Sequence, residues 1–331
     1  MDALSEVLSM LRVRSGVASA FEGRGAWAFR FPAYEHMKFG TVLSGRLHLW
    51  MAEDDERHTM EQGDFWLLTN GKPFFSASDI RRKPLDGPTT YRSLRGADGV
   101  VRVAGPGDAP LVRLASGRFT FENNVTDMLL ERLPPLIHLR AADVASHALS
   151  HVLALVGSET AATSPGSDVA RTSLATLVLV QALRAYLASE PQASGWLTAL
   201  SDSRIGMALS LMHSAPGQRW TLETLASEAG MSRTAFATRF KLLVGSTPLE
   251  YLHQWRIALA MTALRHSDEP LVEIAERIGY LSDTAFSIAF KRTMGISPGR
   301  YRTEQRDASA TLRTVSVHSR DGATRPNDRA L

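Results

Sequence analysis

The sequence predicts an α+β chain with an N-terminal antiparallel β unit, a helical connector and a C-terminal all-α domain. Three observations predict it. Residues 1–110 hold short apolar runs broken by turn residues, residues 111–200 change to a helical period, and residues 201–302 are helical throughout with Gly and Pro at regular places. At about 100–200 residues per domain, a chain of 331 residues holds two or three domains.

The elements follow in order. Leu4, Val7, Leu8 and Leu11 recur at helical spacing and predict a short N-terminal helix. Gly40 to Gly45 lead into Arg46-Leu47-His48-Leu49-Trp50-Met51, where apolar and polar residues alternate. Gln62-Gly63-Asp64 lead into Phe65-Trp66-Leu67-Leu68, and Asn70-Gly71 close that run with a tight-turn signal. This block reads as a compact antiparallel β unit, expected to close into a barrel. In the next block Leu129 to Ile137, Val144 to Val156 and Ser173 to Leu187 look helical, and Pro165-Gly166 separate the last two. Leu174, Leu177, Val178, Gln181, Leu183 and Leu187 give the third segment an almost all-round apolar surface. Such a surface suits a core helix or a helix–helix contact between subunits. Residues 303–331 have no apolar period and read as a frayed tail.

Composition excludes several classes. The chain has no cysteine, so a disulfide framework, an iron–sulfur site, a thiolate zinc site and a cysteine nucleophile are ruled out. Asp2, Glu6, Arg12 and Arg14 argue against a signal peptide, and no run approaches the roughly 18–20 apolar residues of a membrane span. A cytoplasmic location is expected. Lys+Arg is 37 against Asp+Glu 34, a balance too near neutral to establish an anionic partner by itself. The excess is local, because residues 201–302 hold 12 Lys+Arg and 9 Asp+Glu.

That same stretch contains a duplication. Ser232 to Tyr251 reads SRTAFATRFKLLVGSTPLEY and Ser282 to Tyr301 reads SDTAFSIAFKRTMGISPGRY; nine of twenty positions are identical at an offset of 50 residues. Leu225-Ala226 and Gly230 precede the first copy as Ile274-Ala275 and Gly279 precede the second. Each copy reads as helix, tight turn, helix. Thr221 caps the first helix, Gly230 ends it, and Ser232 caps the next. In the second copy Pro270 opens the helix, Gly279 ends it, and Ser282 or Asp283 caps the next. Small Ala226 and Ala275 allow a close crossing, as in a helix-turn-helix whose second helix enters the DNA major groove.

The helical period separates two faces. Phe236, Phe240 and Leu243, and then Phe286 and Phe290, share the core face. The opposite face carries Thr234, Ala237, Thr238 and Lys241 in the first copy and Thr284, Ser287, Ile288 and Lys291 in the second. Small polar and apolar groups there suit base edges and thymine methyls, and the lysines suit phosphates. Ser232 and Arg233, at the head of the first such helix, complete the candidate DNA-binding set. Between the copies, Pro248 opens a helix to about Arg265, a rod of roughly 27 Å. Such a rod can hold two reading helices about one DNA turn (~34 Å) apart.

These residues resemble the AraC/XylS family of bacterial transcription regulators. The resemblance covers Ser201 to Arg302 and is carried by Trp220, Trp255-Arg256, Ile274-Ala275, Gly279-Tyr280, the Ser282 to Lys291 string, Gly295-Ile296-Ser297-Pro298 and Tyr301-Arg302. Residues 1–200 resemble the branch with an N-terminal cupin-type half. The carriers are Gly40 to Leu49, Gln62 to Leu68, Gly71-Lys72-Pro73-Phe74, Leu133 to Leu139 and Gln181-Ala182-Leu183-Arg184. The resemblance implies a cupin-like β-barrel over residues 1–110 for sensing or assembly. It also implies a helical connector over 111–200 with a possible dimer contact, and a DNA-binding domain with two helix-turn-helix units over 201–302. The implied function is a sequence-specific transcriptional regulator, expected to be an activator that answers a small molecule. Its expected partners are double-stranded DNA, RNA polymerase, an effector and a second copy of the chain.

Enzyme readings fare poorly. Glu35-His36-Met37-Lys38 lacks the His-x-His pair of enzymatic cupins, and Phe74 stands where their later His would be. His36, His48 and His58 have no ligand spacing. No nucleophile elbow or phosphate-cradling loop occurs. No metal, cofactor or catalytic residue is expected. Trp27, Phe29, Phe31, Phe39, Trp50 and Trp66 are candidates to line an effector pocket, against the simpler reading that they pack a core.

Overall fold

The computed structural model describes residues 5, 13–34, 37–54, 56–121, 133–145, 148–161, 165–189, 199–200 and 202–307. The expected N-terminal helix, apart from Ser5, lies outside these residues, as do Glu35, His36 and everything after Asp307. The chain divides into two compact units, one built on the strands and helices up to Gly206 together with Leu242–Gly245, and the other on most of the helices from Met207 onward.

In the first unit the strands are β1 (Val13–Arg24), β2 (Ala28–Phe31), β3 (Met37–Ser44), β4 (Leu47–Met51), β5 (His58–Met60), β6 (Phe65–Leu68), β7 (Phe74–Ala77), β8 (Leu85–Asp86), β9 (Val101–Val103), β10 (Leu111–Phe121) and β11 (Leu136–Leu139). They form a six-stranded sheet ordered β11-β6-β3-β10-β1-β9 and a five-stranded sheet ordered β5-β4-β7-β2-β8. The expected single barrel is therefore corrected to two open sheets. The outermost strands β5, β8 and β9 run only two or three residues, so pairing ends before the sheets can join edge to edge. One apolar cluster is shared by both sheets: Phe21, Val42, Trp66 and Leu114 from one, and Phe29, Phe31, Leu49 and Phe74 from the other. The alternation read at Arg46 to Met51 follows from this, since Leu47, Leu49 and Met51 are buried while His48 and Trp50 are less so.

The helical reading of residues 111–200 fails at two places. Leu111–Phe121 pairs between β3 and β1 as a central strand, and Leu136–Leu139 pairs with β6 at the sheet edge. Pro134 and Pro135 bar a helix there, and Ile137 and Leu139 point inward on either side of half-buried His138. Asp64 fixes this edge. Buried in the Gln62-Gly63-Asp64 turn, its carboxylate accepts from Glu61 N (2.9 Å) and Ala141 N (2.7 Å) and pairs with His138 Nε2 (2.8 Å). The Gln62-Gly63-Asp64 motif thus staples β6 to β11.

Helices α1 (Gly87–Ser93), α2 (Ala141–Ala145), α3 (Leu149–Ala161) and α4 (Ser167–Ser189) complete this unit. Helix α4 packs against α3 and β1 and buries Ala175, Val178, Leu179, Ala182, Leu183 and Tyr186. Its opposite side leaves Val169 and Leu177 exposed, so one broad face is core and the apolar surface is not used all round.

The second unit holds α5 (Ser203–Ser214), α6 (Leu222–Glu228), α7 (Arg233–Val244), α8 (Pro248–His266), α9 (Leu271–Arg277), α10 (Asp283–Met294) and a final helix, α11, over 298–307. Residues 303–307, expected in the tail, instead belong to this helix. Tyr301 is buried, Arg302 donates to the Glu269 carbonyl (2.6 Å), and Arg265 bonds Gln305, so this last helix is tied down. No described helix is long and apolar enough to cross a membrane.

Candidate functional site

The helical unit repeats its geometry as it repeats its sequence. Thr221 caps α6 reciprocally with Thr224, and Ser232 caps α7 by accepting from Ala235 N (3.3 Å). Ser282, not Asp283, caps α10 by accepting from Ala285 N (3.1 Å). Helix α6 closes with Met231 N bonding the Ala226 carbonyl and Gly230 N bonding that of Ser227, both at 2.9 Å. Helix α9 closes the same way, Tyr280 N to Ala275 (2.8 Å) and Gly279 N to Glu276 (3.0 Å). Gly230 and Gly279 hold φ of +61° and +84°, the left-handed region that favours glycine.

The identical aromatic residues build matching cores. Phe236, Phe240 and Tyr251 form a ladder with centroid spacings of 5.7 and 5.9 Å. Phe286, Phe290 and Tyr301 form another at 5.6 and 5.6 Å. Val244 rather than Leu243 is the fully buried residue at the end of α7, a shift of one position along the helix. Between the ladders runs α8, which Thr247 and Glu250 cap reciprocally and Pro248 opens. Its 19 residues make a rod of about 28 Å. His213 stacks on Trp255 of the rod at 3.8 Å and bonds the Tyr251 hydroxyl at 2.7 Å. Arg256 donates to the Pro216 (2.8 Å) and Gln218 (2.9 Å) carbonyls, and His253 bonds Thr293 (2.9 Å) and Tyr280 (3.2 Å). The rod is therefore bonded both to the loop before α6 and to the α9–α10 pair.

With the phenylalanines inward, the opposite faces are open. Ser232, Arg233, Thr234, Thr238 and Lys241 are exposed and Ala237 half-buried; Thr284, Ile288 and Lys291 are exposed and Ser287 half-buried. All the candidate positions thus stand on the outer side of α7 and α10. Two carry commitments that spacing did not reveal: the Ser232 hydroxyl serves as a cap, and Arg233 pairs with Glu223 at 2.8 Å. Ile288 is 67% exposed, and Leu281, in the turn before α10 and missed in the sequence, is 83% exposed.

A second feature lies in the β unit. A cavity of about 430 Å³ is lined by Phe31, Phe39, Leu49, Trp66, Leu68 and Phe74, with Lys38, Tyr91, Arg95 and Arg118 among its polar residues. Of the expected pocket residues, Phe31, Phe39 and Trp66 are there. Trp27 and Phe29 instead pack the core, stacked at 5.4 Å, and Trp50 stacks on Phe75 at 5.1 Å. Glycines make the room. A side chain on Gly40 would lie 2.1 Å from the Trp66 ring, and one on Gly117 would lie 2.5 Å from that of Phe39. The Lys38 ammonium sits 5.2, 4.5 and 5.1 Å from the ring centres of Phe31, Tyr34 and Phe74. Burial first, and then the Arg118 charge, bring Lys38 down to about 8. Among the described residues no cluster of three or more His, Asp or Glu is placed to hold a metal ion. His48 bonds Thr59 (3.1 Å) and His58 lies 3.8 Å from Glu56.

Residues 2–188 match the family model described as Cupin, and residues 225–304 match that described as Helix-turn-helix domain. A putative AraC-like transcription regulator of Streptomyces antibioticus is 39% identical over 303 residues, 91% of this chain and 98% of that one. The chain belongs to the AraC family of transcription regulators. Another relative, the HTH-type transcriptional regulator AlkR of Acinetobacter baylyi, is 31% identical over 92% of this chain and 100% of its own. Among solved structures, the DNA-binding domain of AdpA in complex with a target DNA is 36% identical over 32% of this chain and 96% of that one, with a TM-score of 0.31. As an AraC-type regulator the chain joins a cupin-type β unit to a helical DNA-binding unit.

Proposed function

We propose that this regulator reads DNA with two helix-turn-helix units, α6–α7 and α9–α10, each laying its second helix in the major groove. The observation that carries the reading is the pair of equivalent open faces, Thr234, Ala237, Thr238 and Lys241 against Thr284, Ser287, Ile288 and Lys291. Threonine hydroxyls and the Ile288 side chain suit base edges and thymine methyls, and the lysines suit phosphates. The rod of α8 supports a separation near one helical turn. We assign the cupin-type unit an effector-sensing role, supported by its cavity. An effector acts by binding one conformation better than another. Activation of transcription is the reading favoured by a relative 34% identical over 158 residues, 48% of this chain, named the RCS-specific HTH-type transcriptional activator RclR of Escherichia coli; RNA polymerase is the partner that reading entails. A cytoplasmic homodimer, using the exposed Val169 and Leu177 side of α4, completes the proposal.

Selection of binding sites from a random duplex library, using the full chain, tests the DNA reading. The expected result is a motif of two blocks centred about one helical turn, roughly 10 bp, apart. A single contiguous block would remove one of the two reading units.

A further inference from the structure

We propose that the cavity of the cupin-type unit takes an apolar organic anion, its carboxylate held between Lys38 and Arg118. The proposal rests on the effector reading above and adds the chemistry of the ligand. Lys38 on β3 and Arg118 on β10 are register partners, placed directly opposite each other across two hydrogen-bonded antiparallel strands. Like charges in that relation weaken a sheet. Both line the cavity, and Arg95 is a third cation on its wall. Arg95 is held by bonds to Ser19 Oγ and the Gly99 carbonyl. No Asp or Glu stands among the described lining residues, so none of these neutralises the pair.

The remaining wall states the rest of the ligand. Phe31, Phe39, Leu49, Trp66, Leu68 and Phe74 are apolar, and the rings of Trp66 and Phe39 take the space that side chains on Gly40 and Gly117 would fill. The space, about 430 Å³, lies within the range of small-molecule sites. Opposing cations beside an apolar void discriminate between ligand charges. A neutral molecule leaves the repulsion as it is, a cation worsens it, and an anion relieves it from both sides. The aromatic cage around Lys38 holds the ammonium in place without supplying a counter-charge, and so leaves that charge for the ligand.

Isothermal titration of the full chain with two matched pairs, phenylbutyrate against phenylbutanol and octanoate against octanol, tests this. Each acid is expected to bind at least about tenfold tighter than its alcohol at neutral pH. Lys38→Met and Arg118→Met are each expected to cut that preference to about threefold or less while leaving the alcohol's affinity unchanged, and Lys38→Arg to keep it. Thermal melts of each variant check that it folds. Equal affinity of acid and alcohol, or a preference that survives both methionine variants, would overturn the anion proposal and leave the effector cavity standing. Failure of all four compounds to bind up to about 2 mM, far above the range of a specific effector, would overturn both.

Discussion

The two copies of the repeat differ in what they keep and what they change. Their ring spacings agree to within a few tenths of an ångström, each core a Phe-Phe-Tyr ladder beneath a glycine-terminated helix. Their outer faces have drifted: Thr238 stands where the second copy has Ile288, Ala237 where it has Ser287, and Leu242 where it has Arg292. Packing and turn geometry leave few choices inside, because a change of one methylene in a close-packed interior is felt. Outside, the face answers only to what it touches. On the proposed reading, two units with one scaffold and two faces would read two different sequences.

The largest effect should come from the shared cores. Phe240→Ala and Phe290→Ala each remove a fully buried ring, and each should cost about 3–5 kcal/mol in denaturant unfolding. A loss much larger in one copy than the other would show that the cores are not equivalent. The turns sharpen the comparison by asymmetry. Gly230→Ala meets open space and should cost only the left-handed backbone penalty, about 1–2 kcal/mol. Gly279→Ala adds a Cβ 2.7 Å from both the Gly217 carbonyl and the Arg256 guanidinium, and should cost about 1–3 kcal/mol more. Equal melting temperatures for the two variants would contradict that packing.

Smaller effects test the faces. Thr238→Ala and Ile288→Ala should each change base preference at one position, in different blocks of the selected site, by about 1–3 kcal/mol. Identical site logos for wild type and variant would remove the residue from the reading set. Lys241→Ala and Lys291→Ala should weaken binding to all sequences alike and reduce the salt slope by about one unit each. An unchanged slope would place that lysine away from phosphate.

The helical unit was largely legible in the sequence because its signals are local and occur twice. Ser232, Ser282, Gly230 and Gly279 mark helix ends within a few residues, and duplication separates the constrained positions from the free ones. The period places Leu243 rather than Val244 on the core face, because 3.6 residues per turn leave these neighbours nearly equally close to it. The β unit was legible only in part. Leu111–Phe121 lacks a clean alternation, since Ala115, Ser116 and Gly117 sit in its middle, and it was missed as a strand. Lys38 and Arg118 carry no sequence signal, because a lone cation in a strand reads as solvent-facing. Only the pairing of strands 80 residues apart places them opposite each other. Trp27, Phe29 and Trp50 show the converse: aromatic character predicts burial or stacking well and cavity lining poorly.

The central claim is that α7 and α10 lie in successive major grooves on one face of the duplex. The chain has no cysteine, so Thr238→Cys and Ile288→Cys each give a single attachment point for an iron–EDTA cleavage reagent. On a selected site, the two variants should cut at centres about 10 bp apart on the same face of the DNA. Cleavage by only one of them, or coincident cleavage centres, would contradict the account.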